Sequence, residues 1–112
     1  MKIPEEGYLL RIFIGESDSH IGHPLYEAIV TKAREMNLAG ATVLRGIMGF
    51  GAGSRIHSAK ILRLSDDLPV VVEIVDSKEK IDKLIPWLDE VVVEGLITLE
   101  KMRVIKYRHN NK

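Results

Sequence analysis

Residues 8–15 read YLLRIFIG and residues 70–76 read VVVEIVD. In the first stretch Leu10, Ile12 and Ile14 share one face of an extended chain, while Leu9, Arg11 and Phe13 share the other. In the second, Val70, Val72 and Ile74 make a wholly apolar face behind Val71, Glu73 and Val75. Alternation of period two in β-branched and aromatic residues predicts a strand at each place. Between them, Pro24 suits the first turn of a helix, and Leu25, Ala28, Ile29, Ala33 and Met36 recur at helical spacing until Asn37 and Gly40 supply a stop, which predicts a helix over 24–38. ATVLRGIMGF, from Ala41, predicts another strand, running into a stretch that holds four of the nine glycines.

After the turn SDDLP and the strand 70–76, Ser77 is a good N-cap, and Ile81, Leu84, Ile85 and Leu88 form the stripe of a helix over 78–92. Pro86 lies inside this pattern and predicts a kink or a split. LITLEKMRVIKY, after Gly95, predicts a final strand ending near Tyr107, followed by a polar tail. The order βαββαβ fits two helices on one face of a four-stranded antiparallel sheet with strand order 4-1-3-2, an α+β ferredoxin-like domain spanning residues 1–112. Its helix-free face would carry Leu9, Arg11, Phe13, Val43, Arg45, Ile47, Val71, Glu73 and Val75. A face exposed to water should be mostly polar, and this one is apolar with one charge per strand, so it predicts a homo-oligomer built through the sheets. Arg11, Glu73 and Arg45 would stand on neighbouring strands, where opposite signs can pair.

At 112 residues the chain has the size of one domain, and folding would remove roughly 65% of the unfolded surface from water. Cysteine is absent, which excludes thiol catalysis, thiolate metal sites and disulfides and is compatible with a cytoplasmic setting. No apolar run approaches the roughly 18 residues of a membrane span, and Glu5 and Glu6 break the pattern of a signal peptide. The formal net charge is zero, which argues against a nucleic-acid binder. The zero conceals a segregation: residues 45–63 carry four basic and no acidic side chains, residues 101–112 carry five and none, and the rest is acidic. Brought together, the two basic segments would make an anion site.

No catalytic constellation emerges, so the chain reads as a non-enzyme. His20 and His23, with Asp18 and Glu27 nearby, offer ligand atoms for a divalent metal, but three-residue spacing before a proline is not a recognised ligand motif. Ser17, Asp18 and His20 are sequence neighbours, better suited to loop hydrogen bonding than to a nucleophile and its base. RGIMGFGAGSRIHSAK, from Arg45 to Lys60, combines glycines with Arg45, Arg55, His57 and Lys60 and no carboxylate. It matches neither a Walker loop nor a dinucleotide fingerprint, since a strand rather than a helix follows.

GESD at Gly15, HPLYEAIV, LAGATVLRGIMGFG, SRIHSAK, LSDDLPVVVEIVD and VEGLITLE ending at Glu100 together resemble the PII-like signalling superfamily. Within it the chain is most similar to a prokaryotic family of uncharacterised function, domain of unknown function family 190. The resemblance implies a ferredoxin-like subunit in a homotrimer, adenine-nucleotide sites in the clefts between subunits, and a long loop, here residues 49–63, that acts on a protein partner. A membrane transporter or ion exporter is the partner it suggests. GATV at Gly40 places Thr42 where an adenine contact is expected, Gly49, Phe50 and Gly51 match the base of the loop, and Arg55 is the nearest substitute for that motif's arginine. Glu73 to Val75 match the strand whose backbone accepts the base. In the phosphate loop the family's glycine, aspartate, glycine and lysine become Thr98, Leu99, Glu100 and Lys101, so only the lysine remains. Without the glycine cradle, and with Glu100 repelling phosphate, ADP or AMP is favoured over ATP. Arg103, Lys106 and Arg108 match basic residues that reach a neighbouring subunit's ligand. The alternative is a metal-binding trimer resembling the divalent-cation tolerance proteins of the same fold, using His20, His23 or His57.

Overall fold

Strand β1 (Glu6–Gly15) is central and pairs antiparallel on both sides, with β3 (Pro69–Asp76) and with β4 (Leu96–Arg103). A short strand β2 (Thr42–Arg45) pairs antiparallel with the other side of β3, which gives the sheet order β2-β3-β1-β4. Helices α1 (Leu25–Glu35) and α2 (Lys78–Val91) complete the βαββαβ order. The computed structural model describes residues 6–51, 57–58 and 67–110. The expected α+β ferredoxin-like arrangement and its strand order are both observed.

The core is the apolar face read from the sequence. Leu10, Ile12 and Ile14 from β1 and Val70, Val72 and Ile74 from β3 pack with Leu25, Ile29 and Ala33 of α1 and with Ile81, Leu84, Leu88 and Val91 of α2. Each Val, Leu or Ile among them contributes roughly 1.5–3 kcal/mol through burial. Helix α1 ends in a Schellman arrangement: Asn37 adopts a left-handed φ of 60°, its N–H donates to the Arg34 carbonyl, and Leu38 N–H donates to the Ala33 carbonyl. The Ser77 hydroxyl caps α2 by accepting from Lys80 N–H.

Three local expectations are corrected. Helix α2 is not split at Pro86, because Pro86 lies on the exposed side and the Asp82 carbonyl it leaves without an N–H partner can be solvated. The last strand ends at Arg103 rather than near Tyr107, and the following residues leave the ladder. Val43 and Arg45 do not share the helix-free face: they stand opposite Val72 and Val70, while Thr42 and Leu44 stand opposite Glu73 and Val71. TVLR is apolar at both parities, so period two could not choose between them. Ile47 lies beyond β2, in a bend.

The link from β1 to α1 forms a two-residue hairpin in which His20 faces His23 across a turn made by Ile21 and Gly22, at φ of 47° and 75°. It is attached to the helices through Trp87, whose ring meets His20 edge-on at 5.8 Å and lies under the Lys32 ammonium at 5.7 Å. Near the same end of β1, a Cβ added to Gly95 would stand 2.6 Å from the Phe13 carbonyl oxygen, closer than backbone can accommodate. Gly95→Ala is expected to destabilise the fold by about 1–3 kcal/mol, read from the urea midpoint; an unchanged midpoint would contradict the close approach.

Candidate functional site

The helix-free face carries Leu9, Arg11 and Phe13 on β1, Val71, Glu73 and Val75 on β3, Thr42 and Leu44 on β2, and Leu96, Thr98, Glu100 and Met102 on β4. The charges are gathered into one cross-strand row. Arg11 Nε donates to Glu73 at 2.9 Å and Arg11 Nη1 donates to Glu100 at 2.8 Å. The hydrogen bond that Arg11 donates to Glu73, followed by the Glu100 and Glu73 charges, raises the Arg11 pKa above the ordinary arginine value against the opposing effect of burial. Arg45, expected to join this row, pairs instead with Glu16.

Beside this row the face is hollowed into a cavity of about 600 Å³. Leu9, Val75 and Met102 form its apolar floor, and Thr42 and Glu73 bring a hydroxyl and a carboxylate to it. Its walls are the link Ala39–Ala41 and the tail from Val104 to Tyr107, which includes Lys106. The link is positioned by groups distant in sequence. Asp76, fully buried at the end of β3, accepts from Ala39 N–H at 2.8 Å through one carboxylate oxygen and from Ser77 N–H at 2.6 Å through the other. Lys80 Nζ donates to the Asn37 carbonyl at 3.0 Å, and the Tyr107 hydroxyl donates to the Ala39 carbonyl at 2.7 Å. A buried carboxylate is tolerated only when it is hydrogen-bonded, and these donors satisfy it while fixing the wall of the cavity.

Of the residues singled out from the sequence, the structure brings Thr42, Glu73, Val75 and Lys106 into this one cavity. Gly49, Phe50 and Gly51 lie outside its lining; Gly49 pairs with His57 in a short ladder, and Phe50 is exposed. Lys101 and Arg103 stand opposite Tyr8 and Glu6, on the other side of the sheet. Lys101 Nζ lies 3.1 Å from the Glu6 carboxylate, which holds its pKa above the ordinary lysine value, so this pair stabilises the fold below that value and ceases to do so as pH rises through the raised one. Arg55 lies outside the described residues. Among the described residues, His20, His23 and their neighbours form no group of three ligands able to hold a metal ion. Asp18 instead accepts from Gly15 N–H at 2.9 Å, as loop chemistry requires. Ala39, Met102 and Tyr107 were not singled out, although a tyrosine isolated in a basic tail is a signal for an anchored residue.

The family model described as DUF190, Uncharacterized ACR, COG1993, matches residues 7–104. The chain belongs to the DUF190 family. A UPF0166 protein of Aquifex aeolicus (strain VF5) is 46% identical over 99 residues, covering 87% of this chain and 91% of that protein. A UPF0166 protein of Methanocaldococcus jannaschii is 36% identical over 99 residues, covering 88% and 91%. Among solved structures, CPII, a nitrogen regulatory PII-like protein from Thiomonas intermedia K12 bound to ADP, AMP and bicarbonate, superposes with a TM-score of 0.65 over 90% of each chain at 13% identity. A second CPII structure, bound to ADP and bicarbonate, gives a TM-score of 0.59 with the same coverage and identity. The DUF190 chain therefore has the PII-like fold. Among its described residues no helix is long and apolar enough to cross a membrane.

Asp76→Ala is expected to lower stability by about 1–3 kcal/mol and to speed hydrogen exchange at the Ala39 amide. Exchange at Ala39 as slow as in the native protein would show that something other than Asp76 holds the link.

Proposed function

We propose that this DUF190 protein is a non-enzymatic PII-like regulatory protein that binds an adenine nucleotide, ADP or AMP in preference to ATP, in the cavity on the helix-free face. The observation that carries the reading is the cavity itself. Thr42, Glu73 and Val75, assigned to the nucleotide by resemblance from two separate strands, line one space of about 600 Å³, within the range of small-molecule sites. Its apolar floor suits the face of a base, its hydroxyl, carboxylate and backbone groups suit the polar edge, and Lys106 suits a phosphate. Arg11, held by Glu73 and Glu100, limits the repulsion that those carboxylates exert on an anionic ligand. The similarity in fold to CPII, solved with ADP and AMP, supports the same ligand class.

The assembly we propose is a homotrimer in which the helix-free faces pack together and a neighbouring subunit closes the nucleotide site, with Arg55 acting across that boundary, Lys101 and Arg103 reaching a neighbour's site around the edge strand β4, and Gly49, Phe50 and Gly51 at the base of the regulatory loop. Exposed Leu44 and Leu96 on this face, with half-buried Phe13 and Val71, give the apolar area such packing needs. The protein partner of residues 49–63 is, on the same reading, a membrane transporter or ion exporter, and the protein works in the cytoplasm.

Isothermal titration with ADP, AMP and ATP tests the ligand. Saturable binding of ADP or AMP, tighter than ATP and weakened at least several-fold by Thr42→Val, is the expected result. Absence of binding by all three nucleotides overturns the reading. Sedimentation at micromolar concentration should give three times the chain mass, and a monomer would refute the assembly.

A further inference from the structure

Leu9 stands on the helix-free face yet is only 6% exposed, whereas Leu44 and Leu96 on the same face are 48% and 57% exposed. Leu9 is on the central strand and Leu44 and Leu96 are on the edge strands, and Leu9 borders the same cavity as the tail that follows β4. Strand β4 ends at Arg103 on one edge of the sheet, and four residues later the Tyr107 hydroxyl reaches the Ala39 carbonyl, beside β3 and β2 on the far side. That crossing covers two to three strand spacings, roughly 10–14 Å. Four extended residues reach roughly 13–14 Å, and the Tyr107 side chain adds its own length, so the tail can make this crossing. Val104, Ile105, Lys106 and Tyr107 all border the cavity with Leu9, Val75 and Met102 beneath. The cavity keeps about 600 Å³ with the tail in place, so the tail forms one wall of an open space instead of filling it. The described fastening at the far end is one hydrogen bond, and Ile105, 80% exposed, adds little packing. The family match ends at residue 104, so the fastening residue lies beyond it.

We propose that residues 104–107 form a strap that opens to admit the ligand and refastens over it through the Tyr107–Ala39 hydrogen bond, carrying Lys106 against the ligand's anionic group. The identity of the ligand, ADP, rests on the function proposed above; the fastening does not. A single neutral hydrogen bond biases such an equilibrium by roughly three- to tenfold, enough to favour closure and weak enough to permit exchange. Because a closed strap must unfasten before ligand leaves, its effect falls on dissociation more than on association.

Tyr107→Phe keeps the ring and removes the fastening. Without ligand, trypsin cleavage after Lys106 should be roughly three- to tenfold faster in the variant than in the native chain, with the thermal midpoint unchanged. With saturating ADP, cleavage of the native chain should slow, and stopped-flow dissociation of ADP should be faster in Tyr107→Phe by a similar factor. Equal cleavage of the two proteins without ligand overturns the strap, and tighter ADP binding by the variant overturns closure over the ligand in favour of a competing tail. If ADP binds both proteins identically, the nucleotide reading stands and the strap falls. Should ADP bind neither while cleavage still differs, the fastening stands and ADP as its occupant is overturned.

Discussion

The structure depends on one buried charge. Asp76 is fully enclosed at the junction of β3 and α2, and its two oxygens are spent on the N–H groups of Ala39 and Ser77. The second bond sets the turn by which the sheet hands over to α2. The first ties the α1–β2 link to the end of β3 and thereby sets where β2 begins. Burial makes the arrangement intolerant: a carboxylate that lost these donors would be left uncompensated in the core. Ala39 is thus held by both ends of its backbone, its N–H by Asp76 from the core and its C=O by Tyr107 from the surface.

The two faces of the sheet follow different rules. Toward the helices, the chain buries aliphatic side chains and almost nothing else. On the other face it places one row of charges across three strands, Glu73, Arg11 and Glu100, beside an apolar hollow. One cation between two anions leaves that row with an excess negative charge, and Lys106 is the positive group that the tail brings to the same cavity. Segregation of basic residues in the sequence therefore has a local outcome: Arg45 and Lys101 are engaged by Glu16 and Glu6, and Lys106 borders the hollow.

The fold was legible where one face of an element is strictly apolar. YLLRIFIG and VVVEIVD each allow a single inward parity, and Asn37 marks the helix end because its left-handed conformation is a property of the residue itself. TVLR allowed either parity, so the face of β2 was decided by hydrogen-bond register with β3, which period two does not encode. Thr42, Glu73 and Val75 were reached through family resemblance, and the cavity gathers them. Ala39 and Tyr107 escaped because their contact joins residues 68 positions apart and uses a backbone carbonyl, which has no side-chain signature. Asp76 escaped for a related reason: a lone acid after an apolar run reads as a strand terminator, and its burial becomes visible only when the α1–β2 link closes over it.

The hairpin between β1 and α1 has a practical consequence. Trp87 is the chain's sole tryptophan, and it sits with His20 at its edge and Lys32 at its face, on the layer opposite the hollow. Its fluorescence therefore reports on the helical layer, while Tyr107 belongs to the other side of the sheet. The chain has three tyrosines, and Tyr8 and Tyr26 pack against the core, so tryptophan emission is the single-site signal, and it follows the scaffold and not the hollow.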